Sequence, residues 1–250
     1  MIIPRRRRNI PERKKILAMF VIADTHLSGG TDKPMTVFGS RWAGWTERLT
    51  ENWTNTVKDT DTVIIPGDIS WAMTLEEAVE DFRLLNSLPG TKLIGKGNHD
   101  YWWNTQKKTE AFFTENGFTT LKLLFNNAYE TENAVVCGCR GWYVDEKSSP
   151  ENADYDKIVA REAGRLKLSL KYAEKFDGNK KKIVFFHFPP VFGDFICTEL
   201  IEVLHEYGVT ECYYGHIHGR YDIPPVTEYE GITFKIVSAD YLDFKPLEIH

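Results

Sequence analysis

The sequence predicts an α/β fold, a layered sandwich of mixed β-sheets flanked by helices. Three observations predict it. Short apolar runs of strand type alternate with longer amphipathic stretches, the pattern that lays helices onto a sheet. Strand-type runs also crowd into 119–139 and 225–239 with little helix between neighbours, which asks for antiparallel pairs beside parallel ones. No Pro/Gly/Ser-rich linker divides the 250 residues, so the reading is a single domain over 16–250 behind a basic, flexible extension over 1–15.

The elements follow in order. A strand is predicted at 16–23, then a helix over 41–58, where Trp42, Trp45, Leu49, Trp53 and Val57 recur at helical spacing and read as core. A strand at 62–66 precedes Thr74-Leu75-Glu76-Glu77, a capping box that opens a helix toward Leu88 before Pro89-Gly90 stops it. After a strand at 92–95, Asn104 can cap a helix to Asn116. Strands at 120–125 and 134–138 lead to a long surface helix over 154–176, with Val159, Ala163, Leu166, Leu170 and Ala173 on its buried stripe. A strand at 182–186, a helix at 198–207 and strands at 211–214 and 233–238 complete the chain.

Composition excludes several classes. Apolar residues make up 42% and charged residues 27%, which rules out a disordered chain, a collagen-like repeat and a small disulfide scaffold. Residues 1–15 carry seven basic residues and one acid, +6, so a chain of net −5 leaves −11 on the rest. So acidic a body argues against nucleic acid as partner and repels phosphate unless something local reverses the field. Cys137, Cys139, Cys197 and Cys212 form no C-x-x-C pair; they read as buried reduced thiols and place the protein in the cytoplasm. No apolar stretch reaches the ~18 residues that span a bilayer. The arginines at 5–8 followed by the apolar run 16–23 invite a signal-peptide reading, but Val21-Ile22-Ala23 is a poor cleavage site.

Chemistry concentrates in five polar clusters, each just after a strand-type run: Asp24-Thr25-His26, Gly67-Asp68, Gly97-Asn98-His99-Asp100, His187, and Gly215-His216-Ile217-His218. In open α/β sheets the loops at the carboxyl ends of strands form the ligand crevice. D-x-H and G-D mean little alone. G-N-H-D is expected by chance in only ~10⁻³ of chains this long and G-H-x-H in ~10⁻², so their joint occurrence outweighs a reading as turns and satisfied histidines. Carboxylate with imidazole suits Mn²⁺, Fe or Zn²⁺. On extended backbone His216 and His218 share one side, within reach of two nearby ions. A carboxylate can bridge two ions, and Asp68 is the candidate; two metals ~3.5–4 Å apart clamp the oxygens of a displacement at phosphorus.

The ordered set D-x-H, G-D, G-N-H-D, His, G-H-x-H resembles the calcineurin-like metallophosphoesterase family. Gly67-Asp68-Ile69-Ser70-Trp71-Ala72-Met73 and Tyr241-Leu242-Asp243-Phe244-Lys245-Pro246 are similar to a small bacterial branch of predicted phosphohydrolases. The resemblance spans about 18–247 and implies two mixed β-sheets and two divalent ions, Mn²⁺ first, with Fe or Zn²⁺ as alternatives. One ion would take Asp24, His26, Asp68 and His218; the other Asp68, Asn98, His187 and His216. A bridging hydroxide would attack phosphorus, His99 would stabilise the transition state or protonate the leaving oxygen, and Asp100 would orient His99. The ions' own charge would then turn this corner of an acidic body positive.

The chain departs from the family where many members carry Asp or Asp-Arg after the G-D aspartate; here Ile69, Ser70 and Trp71 follow. That weakens an analogy to protein phosphatases and leaves a small phosphomonoester or phosphodiester as the expected substrate. Loops 28–40, 140–152 and 188–197 are long enough to shape its pocket. Arg220 and Arg140 are candidates to hold a phosphate oxygen in a bidentate fork, against the alternative of solvent-paired arginines. Trp71, Tyr101, Trp102, Trp103, Trp142 and Tyr143 crowd the motifs and read as packing before stacking platforms. Two rivals stand: a nuclease using the arginine arm, and a scaffold that keeps the fold without catalysis. Oligomeric state is not legible.

Overall fold

The computed structural model describes residues 17–143 and 154–250. The expected basic extension and most of the 140–152 loop lie outside the described residues. The first half runs β1 (Met19–Val21), α1 (Trp45–Thr56), β2 (Thr62–Ile65), α2 (Val79–Ser87), β3 (Thr91–Ile94), α3 (Gln106–Glu115), β4 (Leu121–Leu123), β5 (Ala128–Glu130) and β6 (Ala134–Cys139). The second runs α4 (Tyr155–Ala173), β7 (Lys181–Phe186), β8 (Val191–Phe192), β9 (Phe195–Ile196), α5 (Thr198–Glu206), β10 (Glu211–Tyr214), β11 (Val226–Tyr229), β12 (Ile232–Ile236) and β13 (Leu247–Ile249).

Two βαβ series give two mixed sheets. β1 to β4 pair in parallel, and β13 returns antiparallel along β1, with Met19 opposite Ile249, to give the order β13-β1-β2-β3-β4. β6, β7, β10 and β12 pair in parallel, with β5 and β11 antiparallel at the edges. The two antiparallel edges lie in the regions where the sequence clusters its strands. The inner faces meet through Val21, Ile64, Val136, Ile183, Phe185 and Tyr213. Each Val or Ile so buried is worth roughly 1.5–3 kcal/mol. The outer face of the first sheet packs on α1, α2 and α3 through Leu49, Trp53, Phe82, Leu85 and Phe113. The outer face of the second packs on α4 and α5 through Leu166, Leu170, Leu200 and Leu204. The result is the helix–sheet–sheet–helix sandwich that the alternation predicts.

Local differences have physical causes. The 41–58 stretch is broken at Gly44, whose left-handed φ of 59° ends a 3-10 turn (Ser40–Trp42) before α1 begins. Trp42 is still buried, so its periodicity marks core without marking helix. The Thr74 box closes, with Thr74 Oγ1 accepting from Glu77 N, but it caps a turn and α2 starts five residues later. Thr105, not Asn104, caps α3, accepting from Lys108 N. The two-residue strands β8 and β9 and the edge strands β11 and β13 are too short or too polar for pattern reading. Cys137, Cys139, Cys197 and Cys212 are free thiols. Among the described residues no helix is long and apolar enough to cross a membrane.

Candidate metal centre

The five clusters meet at one edge of the sandwich. Asp24 and His26 follow β1, Asp68 follows β2, the Gly97–Asp100 segment follows β3, His187 follows β7 and Gly215–His218 follows β10. Because these strands are parallel within each sheet, their carboxyl ends point the same way. The two sheets are stitched together there: Ala23 N donates to Val237 O at 2.8 Å and Ala239 N to Ala23 O at 2.9 Å.

The turns are tight and strained. Asp24, His26, Asp68 and His216 have φ of 59°, 43°, 52° and 68°, four of the eight non-glycine left-handed residues among those described. Such conformations cost of order 1–3 kcal/mol each and persist where the surroundings over-determine them. The motif glycines have a reason as well. A Cβ on Gly97 would overlap the Asp68 carboxylate and backbone, and one on Gly215 would overlap Asp24. G-N-H-D and G-H-x-H therefore need glycine to let a ligand carboxylate lie against the neighbouring loop.

The side chains form two overlapping groups. Ligand atoms of Asp24, His26 and His218 lie within 4.8 Å of one another, and so do those of Asp24, Asp68 and His187. His26 Nε2 is 3.2 Å from His218 Nε2. Asp68 Oδ2 stands 3.7 Å from His26 Nε2 and 3.5 Å from His187 Nε2, between the groups. The resemblance gives the shared position to Asp68; here Asp24 is the residue common to both groups, and Asp68 belongs to the second. Asn98 Oδ1 sits 2.6 Å from His187 Nε2. His216 holds Asp24 through its backbone, its N–H 2.9 Å from Oδ2, while its ring meets those of His187 and Phe188 at 5.2 Å and 4.5 Å.

Burial sets the electrostatics. It pushes the Asp24 carboxyl up to about 7. It drives Asp68 well above the carboxylate range, with the Asp100 and Asp24 charges adding to it. It holds His26 and His187 well below the usual imidazole value, reinforced by His218 for the first and His216 for the second. His99 is lowered to about 4 by burial and then by His218. Burial also opposes charge on His218, but Asp24 and then Asp240 outweigh it and raise its pKa. Crowded carboxylates and neutral imidazoles are what a divalent cation needs as ligands. The Nδ1 atoms of His26 and His187 are buried without a hydrogen-bond partner, so the donor set fits metal ions.

One expected role is corrected. Asp100 does not orient His99. Its carboxylate accepts from Gly97 N (2.7 Å), Asp68 N (2.9 Å), Ile69 N (2.8 Å) and Trp102 Nε1 (3.0 Å). It ties the loop after β2 to the loop after β3, because three backbone donors satisfy a buried carboxylate better than one neighbouring imidazole. His99 Nδ1 is buried without a partner, and the ring lies 4.3 Å from that of Trp71. The carboxylate that does orient an imidazole is Asp240, whose Oδ1 is 2.8 Å from His218 Nδ1 and which also accepts from Gly219 N and Tyr221 Oη. Its signal was a sixth polar residue just after a strand-type run, lacking a histidine to draw notice.

The two arginines part company. Arg220 is exposed and faces Asp222 at 3.7 Å. Arg140 is half-buried against Glu162 (3.5 Å), on which Arg165 and Arg161 also converge. The backbone of Arg140 receives the N–H groups of His187 and Phe188, so it braces the ligand loop from behind. Neither guanidinium makes a described contact with the histidine cluster.

Residues 18–220 match the family model described as calcineurin-like phosphoesterase, and the chain belongs to that family. No curated protein matches. Among solved structures, TT1561 of Thermus thermophilus is similar with a TM-score of 0.53 at 11% identity, covering 94% of this chain and 99% of that one. The phosphopantetheinyl hydrolase PptH of Mycobacterium tuberculosis follows with a TM-score of 0.52 at 15% identity, covering 94% and 96%. GAP50, described as the anchor in the inner membrane complex of Plasmodium, gives 0.51 at 15% identity, covering 90% of this chain and 72% of that one. At these identities the likeness is one of fold.

Proposed function

We propose that this chain is a dinuclear metal-dependent phosphoesterase acting on a small phosphomonoester or phosphodiester. The observation that carries the reading is the overlap of the Asp24–His26–His218 and Asp24–Asp68–His187 groups within a few ångströms at one crevice. Two divalent ions held there, Mn²⁺ first, would supply an acidified water at neutral pH and a clamp on the phosphoryl oxygens. The residues do the rest. Asp24 and Asp68, with His26 and His218 on one side and Asn98, His187 and His216 on the other, hold the pair. Asp240 fixes the tautomer of His218 by accepting from Nδ1, which directs Nε2 into the centre. His99, beside the Asp68 loop with its own N–H on Asp68 Oδ1 at 2.8 Å, stands where a leaving oxygen would take a proton.

A scaffold role like the anchor named for GAP50 is the weaker reading, since anchoring alone asks for no buried, strained histidine–carboxylate cluster. Four free cysteines with pKa raised by burial suit a cytoplasmic setting. The test is elemental analysis with phosphate-release assays. Purified protein is expected to hold two divalent ions and to hydrolyse an aryl phosphate or diester in Mn²⁺, with activity lost to a chelator and restored by the ion. Asp68→Asn should retain at most one ion and lose at least about 10³-fold in kcat. Wild-type metal content in that variant would end the bridging assignment.

A further inference from the structure

We propose that the crevice carries, on its His26–His99 side, a built subsite for a flat aromatic leaving group. The inference rests on the phosphoesterase reading and names its substrate class: phosphoesters of aryl alcohols or of nucleosides presenting a base.

A cavity of about 80 Å³ opens directly off the histidine cluster, lined by His26, His99 and His218 together with the apolar side chains of Met35, Phe38, Trp42 and Trp71. The imidazoles belong to the candidate metal centre, and the rest of the lining is apolar. Charged phosphoryl oxygens have no reason to enter such a wall, but the group departing past His99 does.

The wall is fixed in place. Trp71 stacks on His26 with centroids 4.9 Å apart and planes 22° apart. Its indole N–H meets Met35 Sδ at 2.9 Å, and its backbone N–H donates to Leu27 O. Met35 is buried. Phe38 lies parallel to Trp71, 3° between planes and 6.2 Å between centroids, yet is 55% exposed. An exposed phenyl ring held parallel to a rigid indole is a surface suited to another flat ring.

The rim agrees. Among the described residues, the three most exposed large hydrophobics are Val37, Met73 and Phe38, at 70%, 59% and 55%, and Tyr101 is 53% exposed. All four lie on the cavity wall or within two residues of a wall residue. Such residues clustered about a crevice mark a binding surface, whereas scattered ones mean nothing. Lys33 Nζ lies 4.1 Å from the Trp71 centroid. It adds a cation for a ring that carries negative charge.

The test pairs kinetics with binding in the Mn²⁺-loaded protein. Two phosphoesters with leaving groups of matched acidity are compared, one aryl and one fluoroalkyl. Three inert phosphonates are then titrated: phenyl, octyl and methyl. The aryl ester is expected to exceed the fluoroalkyl ester about tenfold in kcat/KM. Phenylphosphonate should bind about tenfold tighter than the methyl and octyl compounds, as one stacked ring supplies. Phe38→Ala should lower both ratios about fivefold, and Phe38→Tyr should restore them. Unchanged ratios in Phe38→Ala, or octyl binding equal to phenyl, overturn the subsite even if both esters are hydrolysed. Selective phenyl binding without hydrolysis of either ester supports the subsite and overturns the phosphoesterase reading instead.

Discussion

At the floor of the crevice Asp24, Asp68 and Asp100 are buried and accept from backbone N–H groups, and His187 is buried beside them with its Nδ1 unpartnered. At its rim Phe38, Tyr101 and Arg220 are exposed and held by single ring contacts or one loose ion pair. Phe38 and Tyr101 lie in the same connections, after β1 and after β3, that carry Asp24 and Asp100. The difference teaches where each kind of information sits. The floor is held by buried hydrogen bonds between loops, which leave little room for substitution. The rim, free of packing constraints, is where substrate choice can vary.

Three substitutions sharpen or break this contrast. The largest effect is expected from Asp100→Ala at the floor. It would leave Gly97 N, Asp68 N, Ile69 N and Trp102 Nε1 without their acceptor, costing about 3–5 kcal/mol in denaturant unfolding. If Asp100 acted only through His99, activity would fall while stability stayed near wild type. An intermediate effect is expected at Asp240, one layer out. Asp240→Asn should weaken metal binding roughly 10–100-fold in a direct titration; unchanged affinity would reduce Asp240 to tying Gly219 and Tyr221 together. The smallest effect is expected at the rim. Arg220→Ala should alter kcat/KM less than about twofold, because its guanidinium points at Asp222 in solvent. A tenfold loss would return Arg220 to the phosphate.

Much of the floor was legible in the chain. Each candidate ligand follows an apolar run, and strand-end placement in a parallel sheet follows from that order alone, so Asp24, His26, Asp68, Asn98, His187, His216 and His218 could be gathered as candidates before any coordinates. The distant partners of Asp100 were not legible, because Asp68 N and Ile69 N are backbone groups 32 and 31 residues away and leave no mark on side-chain pattern. Asp240 escaped notice for a related reason: a lone aspartate after a strand carries no signature until its distance to His218 is known. Trp71 looked like packing, and it does pack, on His26 and His99 and under Lys33; the exposed Phe38 ring parallel to it and the cavity beside both show only in three dimensions.

The sequence by itself determined the alternation of strand and helix, the residue types of the centre and their arrival at strand ends, because periodicity and motif order are properties of the chain. Tertiary structure decided which carboxylate serves which neighbour, that Asp24 joins both groups of candidate ligands, and that Arg220 faces Asp222 and Arg140 faces Glu162. Those outcomes depend on ångström-scale distances between loops of two different sheets. The closing of the two sheets at Ala23 and Val237 sets those distances, and no local pattern encodes it.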